Sequence, residues 1–190
     1  GKIQADGYGF THIGSGYTGD SHCKAGNLDQ RQANCNGGGS GCCDSDCGGG
    51  GGGNKTPGTD ASTTSCSASY RGLGGLAIGI NDTSVLTIGG AGGSSESYGS
   101  NSGTYGHGGG LVVVGAKNLI IEPGGQITSH GSNGQGNYNG GGAGGTVALF
   151  ADNYVNEGTV EANGGLGHGA GGSYYGGNGG EGWIHLTATV

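Results

Sequence analysis

The sequence predicts an all-β chain with no significant helix: a glycine-rich β-solenoid with stacked, extended polyglycine-type segments and a disulfide-rich insert. Three observations carry this. Glycine supplies 55 of 190 residues beside only 2 Pro, strand-like apolar segments recur at a near-constant interval, and all six cysteines crowd between residues 23 and 66. With so little Pro, a collagen triple helix is excluded.

Leu, Ile, Val and Phe are scarce and fall mostly after residue 73. Ordering glycine costs more backbone entropy than ordering any other residue, so apolar burial alone is a weak source of stability here. Backbone hydrogen bonding between stacked segments, covalent crosslinks and burial against further copies of the chain are the remaining sources. The net charge is −7 with only six Lys and Arg, which leaves no basic stripe for nucleic acid. No apolar run approaches a membrane span. With neither an initiating Met nor a leader at Gly1, a processed product or a piece of something longer is expected.

The repeat has two halves. One is a short strand between glycines: GKIQADG (Gly1 to Gly7), GQITSHG (Gly125 to Gly131), GTVEANG (Gly158 to Gly164) and, more loosely, SVLTIGG (Ser84 to Gly90). The other is a glycine lead into an apolar strand: GGLAIGI (Gly74 to Ile80), GGGLVVVGA (Gly108 to Ala116), GGTVALFA (Gly144 to Ala151) and GEGWIHLTATV (Gly180 to Val190). Ile127 to Val160 is a step of 33 and Val112 to Val147 one of 35, both solenoid periods. Glycine-rich excursions separate the units. Their recurrence, and the Tyr and His they carry, predict ordered stacking of threefold extended chain, where bare backbones approach closely.

Residues 1–17 thus form an N-terminal half-repeat, residues 18–71 a cysteine-rich insert and residues 72–190 the main repeat domain. Val190 stops after one half-motif and Gly1 begins in the other. Three arrangements fit: consecutive subunits abut head to tail, the first and last strands meet within one chain, or the chain is part of a longer array. Under the first, Lys2, Ile3, Trp183, Ile184, Leu186 and Val190 form the subunit interface.

The glycine-rich units, GGGAGGTVALFADNYVNEGTVEANGG among them, resemble the repeat regions of large surface proteins of bacteria and some protists. The resemblance spans residues 72–190 and 1–7, and it implies a β-solenoid with a surface, adhesive or fibrous role. The cysteine-rich stretch departs from it and is expected to decorate the solenoid, as an outward knob or a lateral contact.

Cys23, Cys35, Cys42, Cys43, Cys47 and Cys66 read as three disulfides, of which the sequence permits 15 pairings. Each loop of about 15 residues closed in this way contributes about 3 kcal/mol. Cys43 and Cys47 have the spacing of half a zinc site, but no second knuckle follows, and Asp44 with Asp46 does not make a calcium loop. No metal or other cofactor is expected. Disulfides imply an extracellular, secreted or cell-surface location, and the sequons at Asn54 and Asn81 are candidate glycosylation sites.

Acidic residues and histidines are scattered without a catalytic constellation, so no enzyme is expected. Tyr174 and Tyr175, within a glycine-rich segment, offer stacking area for adhesion or packing. The favoured function is a structural protein that binds copies of itself head to tail in a filament or fibrous layer. The alternative is an adhesin that binds a cell-surface glycan or another surface protein.

Overall fold

A computed structural model describes residues 1–11, 17–23, 31–41, 47–63, 67–95, 106–136, 138–169 and 174–188. Among them there is no helix, and none is long and apolar enough to cross a membrane. The strands are β1 (Lys2–Gln4), β2 (Ser62–Thr63), β3 (Leu111–Ile121), β4 (Gln126–Thr128), β5 (Thr146–Asn156), β6 (Thr159–Glu161), β7 (Tyr174–Tyr175) and β8 (Trp183–Ala188). Two parallel three-stranded sheets run in the orders β3-β5-β8 and β1-β4-β6, and β2 pairs antiparallel with β7.

Each of the two full rungs is a long strand, a turn and a short strand. Between β3 and β4 the sequence Glu122-Pro123-Gly124-Gly125 makes a type II turn. Proline presets the second position, Gly124 takes φ 77°, and the Gly125 N–H donates to the Glu122 carbonyl at 2.8 Å. Between β5 and β6 the connection is two residues shorter, and the Asn156 side chain closes it by accepting the Gly158 N–H at 3.0 Å. That difference explains the two spacings in the sequence. Leu111 pairs with Thr146, a step of 35, whereas Gln126 pairs with Thr159, a step of 33.

The alternation of a strand places every second side chain between the two sheets. Val112, Val147, Leu149, Ile121 and Ile127 form this buried core, with Ala5, Val114, Leu119, Tyr154 and Val160 packed against it. Register turns the core into columns: Val112, Val147 and Ile184 in one, Val114, Leu149 and Leu186 in a second, Ile3, Ile127 and Val160 in a third.

Two expected strands are not strands. Residues 74–80 and 84–90 enter no ladder. They run instead across the outer face of the long-strand sheet, where the Ile78 carbonyl accepts from the Trp183 indole at 3.1 Å and the Thr87 carbonyl from the Thr146 hydroxyl at 2.5 Å.

The glycine segments pack beside the strands in another way. Gly48 to Gly53 bonds to six neighbouring segments with a three-residue period. The N–H groups of Gly50 and Gly53 donate to the carbonyls of Gly39 and Asn36, those of Gly49 and Gly52 to Tyr138 and Gly141, and that of Gly51 to Thr59. The carbonyls of Gly48 and Gly51 accept from Gly72 and Gly75, those of Gly49 and Gly52 from Gly177 and Gly180, and those of Gly50 and Gly53 from Gly93 and Gly90. Threefold extended chain directs its groups in this way, whereas a twofold strand points them to two sides only. The expectation of an outward knob is corrected here. Buried residues 47–54 of the cysteine-rich stretch run through the middle of the glycine bundle, and their bonds cross the boundary drawn at residue 71.

Candidate assembly interface

The two sheets are staggered. β3 with β4 and β5 with β6 make complete rungs. Among the described residues, β1 lies beyond β4 on one side with no partner strand beside β3, and β8 lies beyond β5 on the other with no partner strand beside β6. The stack therefore ends in a half-rung at each end, and the two halves are complementary. β1 pairs with β4 through Lys2–Gln126, Ile3–Ile127 and Gln4–Thr128. This corrects one of the three arrangements open in the sequence, because the first and last strands sit at opposite ends and do not meet within the chain.

The core columns run out at these half-rungs. Val147 and Leu149 are 0% and 1% exposed, whereas Ile184 and Leu186, one rung on in the same columns, are 45% and 48% exposed. At the other end Ile127 is 3% exposed and Ile3 48%. Each is a half-exposed apolar side chain with a strand partner on one side only among the described residues. Leu111 and Val113 are likewise exposed on the outer edge of β3. Lys2 is exposed at the β1 end, while the β6 end carries Glu161, whose carboxylate lies 3.6 Å from His130 Nε2.

The remaining expected site residues distribute unevenly. Trp183 points to the opposite face of β8 from Ile184 and Leu186, bonds to Ile78 and stacks on His185 at 5.5 Å, so it acts within the chain rather than at the edge. Val190 lies outside the described residues. Tyr174 and Tyr175 form β7, in register with Thr63 and Ser62, and the Tyr175 side chain is exposed.

Cys23 and Cys35 are joined in a disulfide of sequence separation 12, and Cys47 is also disulfide-bonded. Cys42, Cys43 and Cys66 lie outside the described residues. Among the described residues no three His, Cys, Asp or Glu side chains are grouped to hold a metal ion.

Asn54 is fully buried. Its amide nitrogen donates to the carbonyls of Gly144 at 2.8 Å and Gly145 at 3.1 Å, and its oxygen accepts from the Thr87 hydroxyl at 2.7 Å. A glycan at that nitrogen is incompatible with these bonds, so the sequon at Asn54 marks a structural amide. Asn81 is exposed, in a loop that with Ile184 to Thr187 of β8 lines a cleft. The neighbouring Asp82 carboxylate is held below its ordinary pKa by hydrogen bonds from the Ser84 hydroxyl and N–H, at 2.5 and 2.7 Å.

The half-motifs at Gly1 and Val190 signalled the half-rungs, but not that β1 takes the side of β4 away from β6, at the opposite end from β8. Comparison with protein-family models, with curated proteins and with solved structures finds no match.

Proposed function

We propose that the chain is an extracellular structural protein that assembles head to tail with copies of itself into a filament or fibrous layer. The observation that carries this is the complementary pair of half-rungs. If the β8 edge of one copy receives the β1 edge of the next, β8 and the incoming β1 share one rung. Both parallel sheets then continue through the joint, Ile184 and Leu186 lie across from Val112 and Val114 of the next copy, and Val160 lies across from Ile3.

Each copy would add three rungs, about 14 Å along the axis at a strand spacing of about 4.8 Å. Unpaired parallel edges favour strand addition, and burial of the exposed column ends supplies the apolar gain. Lys2 of the incoming copy would lie across from Thr159 and diagonal to Glu161, which brings opposite charges together. The disulfides fit an oxidising, extracellular setting, and the role needs no catalytic group.

Two edge variants test the reading. Ile3→Lys blocks one end, and the double variant Ile184→Lys with Leu186→Lys blocks the other, in each case at side chains already half exposed. Wild-type protein is expected to sediment as polymers and to form filaments under negative stain. Each variant is expected to remain a folded monomer, and the two mixed in equal amounts should give a dimer and nothing longer. Wild-type chains that stay monomeric at high concentration would overturn the reading, and specific retention of that monomer on a glycan array would return the adhesin in its place.

A further inference from the structure

On the outer face of the short-strand sheet, one position carries a side-chain acceptor in every rung. Two residues past the pairing of Gln4, Thr128 and Glu161 stand Asp6, His130 and Asn163. Asp6 Oδ1 accepts the His130 N–H at 2.8 Å, and His130 Nδ1 accepts the Asn163 N–H at 3.0 Å. Each side chain thus reaches one rung along and captures the N–H of its own counterpart. The backbone alternates with it: Ala5 and Gly7 donate to the carbonyls of Thr128 and His130, and Ser129 and Gly131 to those of Glu161 and Asn163.

This column is unsatisfied at both ends. At the β1 end, by that alternation, the Asp6 N–H points away from β4 and has no partner among the described residues. At the β6 end the Asn163 amide nitrogen turns to Glu161 Oε2 at 3.4 Å within its own rung, which leaves Oδ1 free to accept from the next rung. The Gly164 N–H, counterpart of Gly7 and Gly131, likewise has no partner among the described residues.

We infer that Asn163 fixes the register of the subunit joint, its Oδ1 accepting the Asp6 N–H of a second copy of this chain while the Asp6 carbonyl of that copy accepts the Gly164 N–H. This rests on the head-to-tail reading and names the polar contact that selects one alignment. Apolar columns alone tolerate a slip of two residues, which keeps every side chain on its face. An acceptor matched to one N–H does not.

The test compares wild type, Asn163→Leu and Asn163→His by critical concentration for polymerisation at neutral pH. Leucine keeps bulk and removes the acceptor, and histidine restores an acceptor of the kind used at His130. Asn163→Leu is expected to raise the critical concentration about tenfold, the equivalent of about 1.4 kcal/mol, and Asn163→His to recover most of it. Circular dichroism of the monomers should match throughout. Equal critical concentrations for all three would overturn the assignment while leaving the filament intact. Absence of wild-type polymer would instead overturn the reading beneath it.

Discussion

In the strand stack a backbone group looks only up or down the pile, and side chains fill the space between and beside the sheets. In the glycine bundle the backbone groups of Gly48 to Gly53 reach six neighbouring segments, most of them glycine backbone. The first arrangement accepts side chains and grows along one axis. The second leaves room for few side chains and gains its order from hydrogen bonds in several directions. One residue type therefore has opposite meanings in the two halves.

A pair of glycine substitutions makes the sharpest break. A Cβ on Gly51 would lie 1.9 Å from the Asn178 carbonyl oxygen, with more backbone behind it, whereas one on Gly115 in β3 would meet nothing within 4 Å. Gly51→Ala is expected to cost more than about 4 kcal/mol and to prevent folding. Gly115→Ala should be neutral or stabilise by about 0.5–1 kcal/mol, since it removes freedom from the unfolded chain. Thermal melts of both decide it, and a Gly51→Ala protein that melts near wild type would end the distinction between the regions.

Asn54 tests how the regions are joined. It lies at the end of the hexaglycine segment and holds the carbonyls of Gly144 and Gly145, just before β5. Asn54→Ala leaves those carbonyls and the Thr87 hydroxyl without these partners in a buried site, at an expected cost of about 2–3 kcal/mol in urea denaturation. Asn54→Asp should cost at least as much, because a carboxylate cannot donate to carbonyls. A loss below about 0.5 kcal/mol for both would show that the bundle and the stack are coupled elsewhere.

The same contrast explains what the sequence revealed. A short apolar run with β-branched residues after glycine, such as Leu111 to Val114 or Thr146 to Leu149, identifies a strand, and the spacing of 33 to 35 pairs it, so β3 to β6 and β8 were legible. Residues 74–80 look alike in sequence, yet they enter no ladder: Leu76 and Ile80 stay exposed, and the Ile78 carbonyl accepts from the Trp183 indole. An apolar run reports which side chains avoid water, not what hydrogen-bonds to the backbone. A run of six glycines carries no side-chain pattern at all, so the central place of Gly48 to Gly53 was illegible. The sequon at Asn54 failed because three residues say nothing of burial. For the edges, Ile3, Ile184 and Leu186 were legible as terminal strand residues, but Trp183 was placed with them before the register showed which face it takes.

The smallest expected effect belongs to His22, at the rim of the bundle beside the disulfide. Its Nε2 accepts the Ile88 N–H at 3.0 Å, and its ring meets Phe10 edge to face at 4.8 Å. Partial burial holds its pKa below the ordinary value of 6.5, the nearby Ile88 carbonyl offsetting only part of this. The folded state therefore binds this proton less readily than the unfolded chain does. Stability from this group is full above about pH 6.5, falls as pH drops below that value, and levels off once pH is under the folded pKa. His22→Gln keeps an acceptor for the Ile88 N–H but cannot be protonated in this range. Its urea midpoint should change less than that of wild type between pH 7.5 and 5, by a modest margin because the ring is largely open to water. Parallel midpoints across that range would mean that the rim of the bundle, unlike its centre, leaves a side chain free to take up a proton without cost.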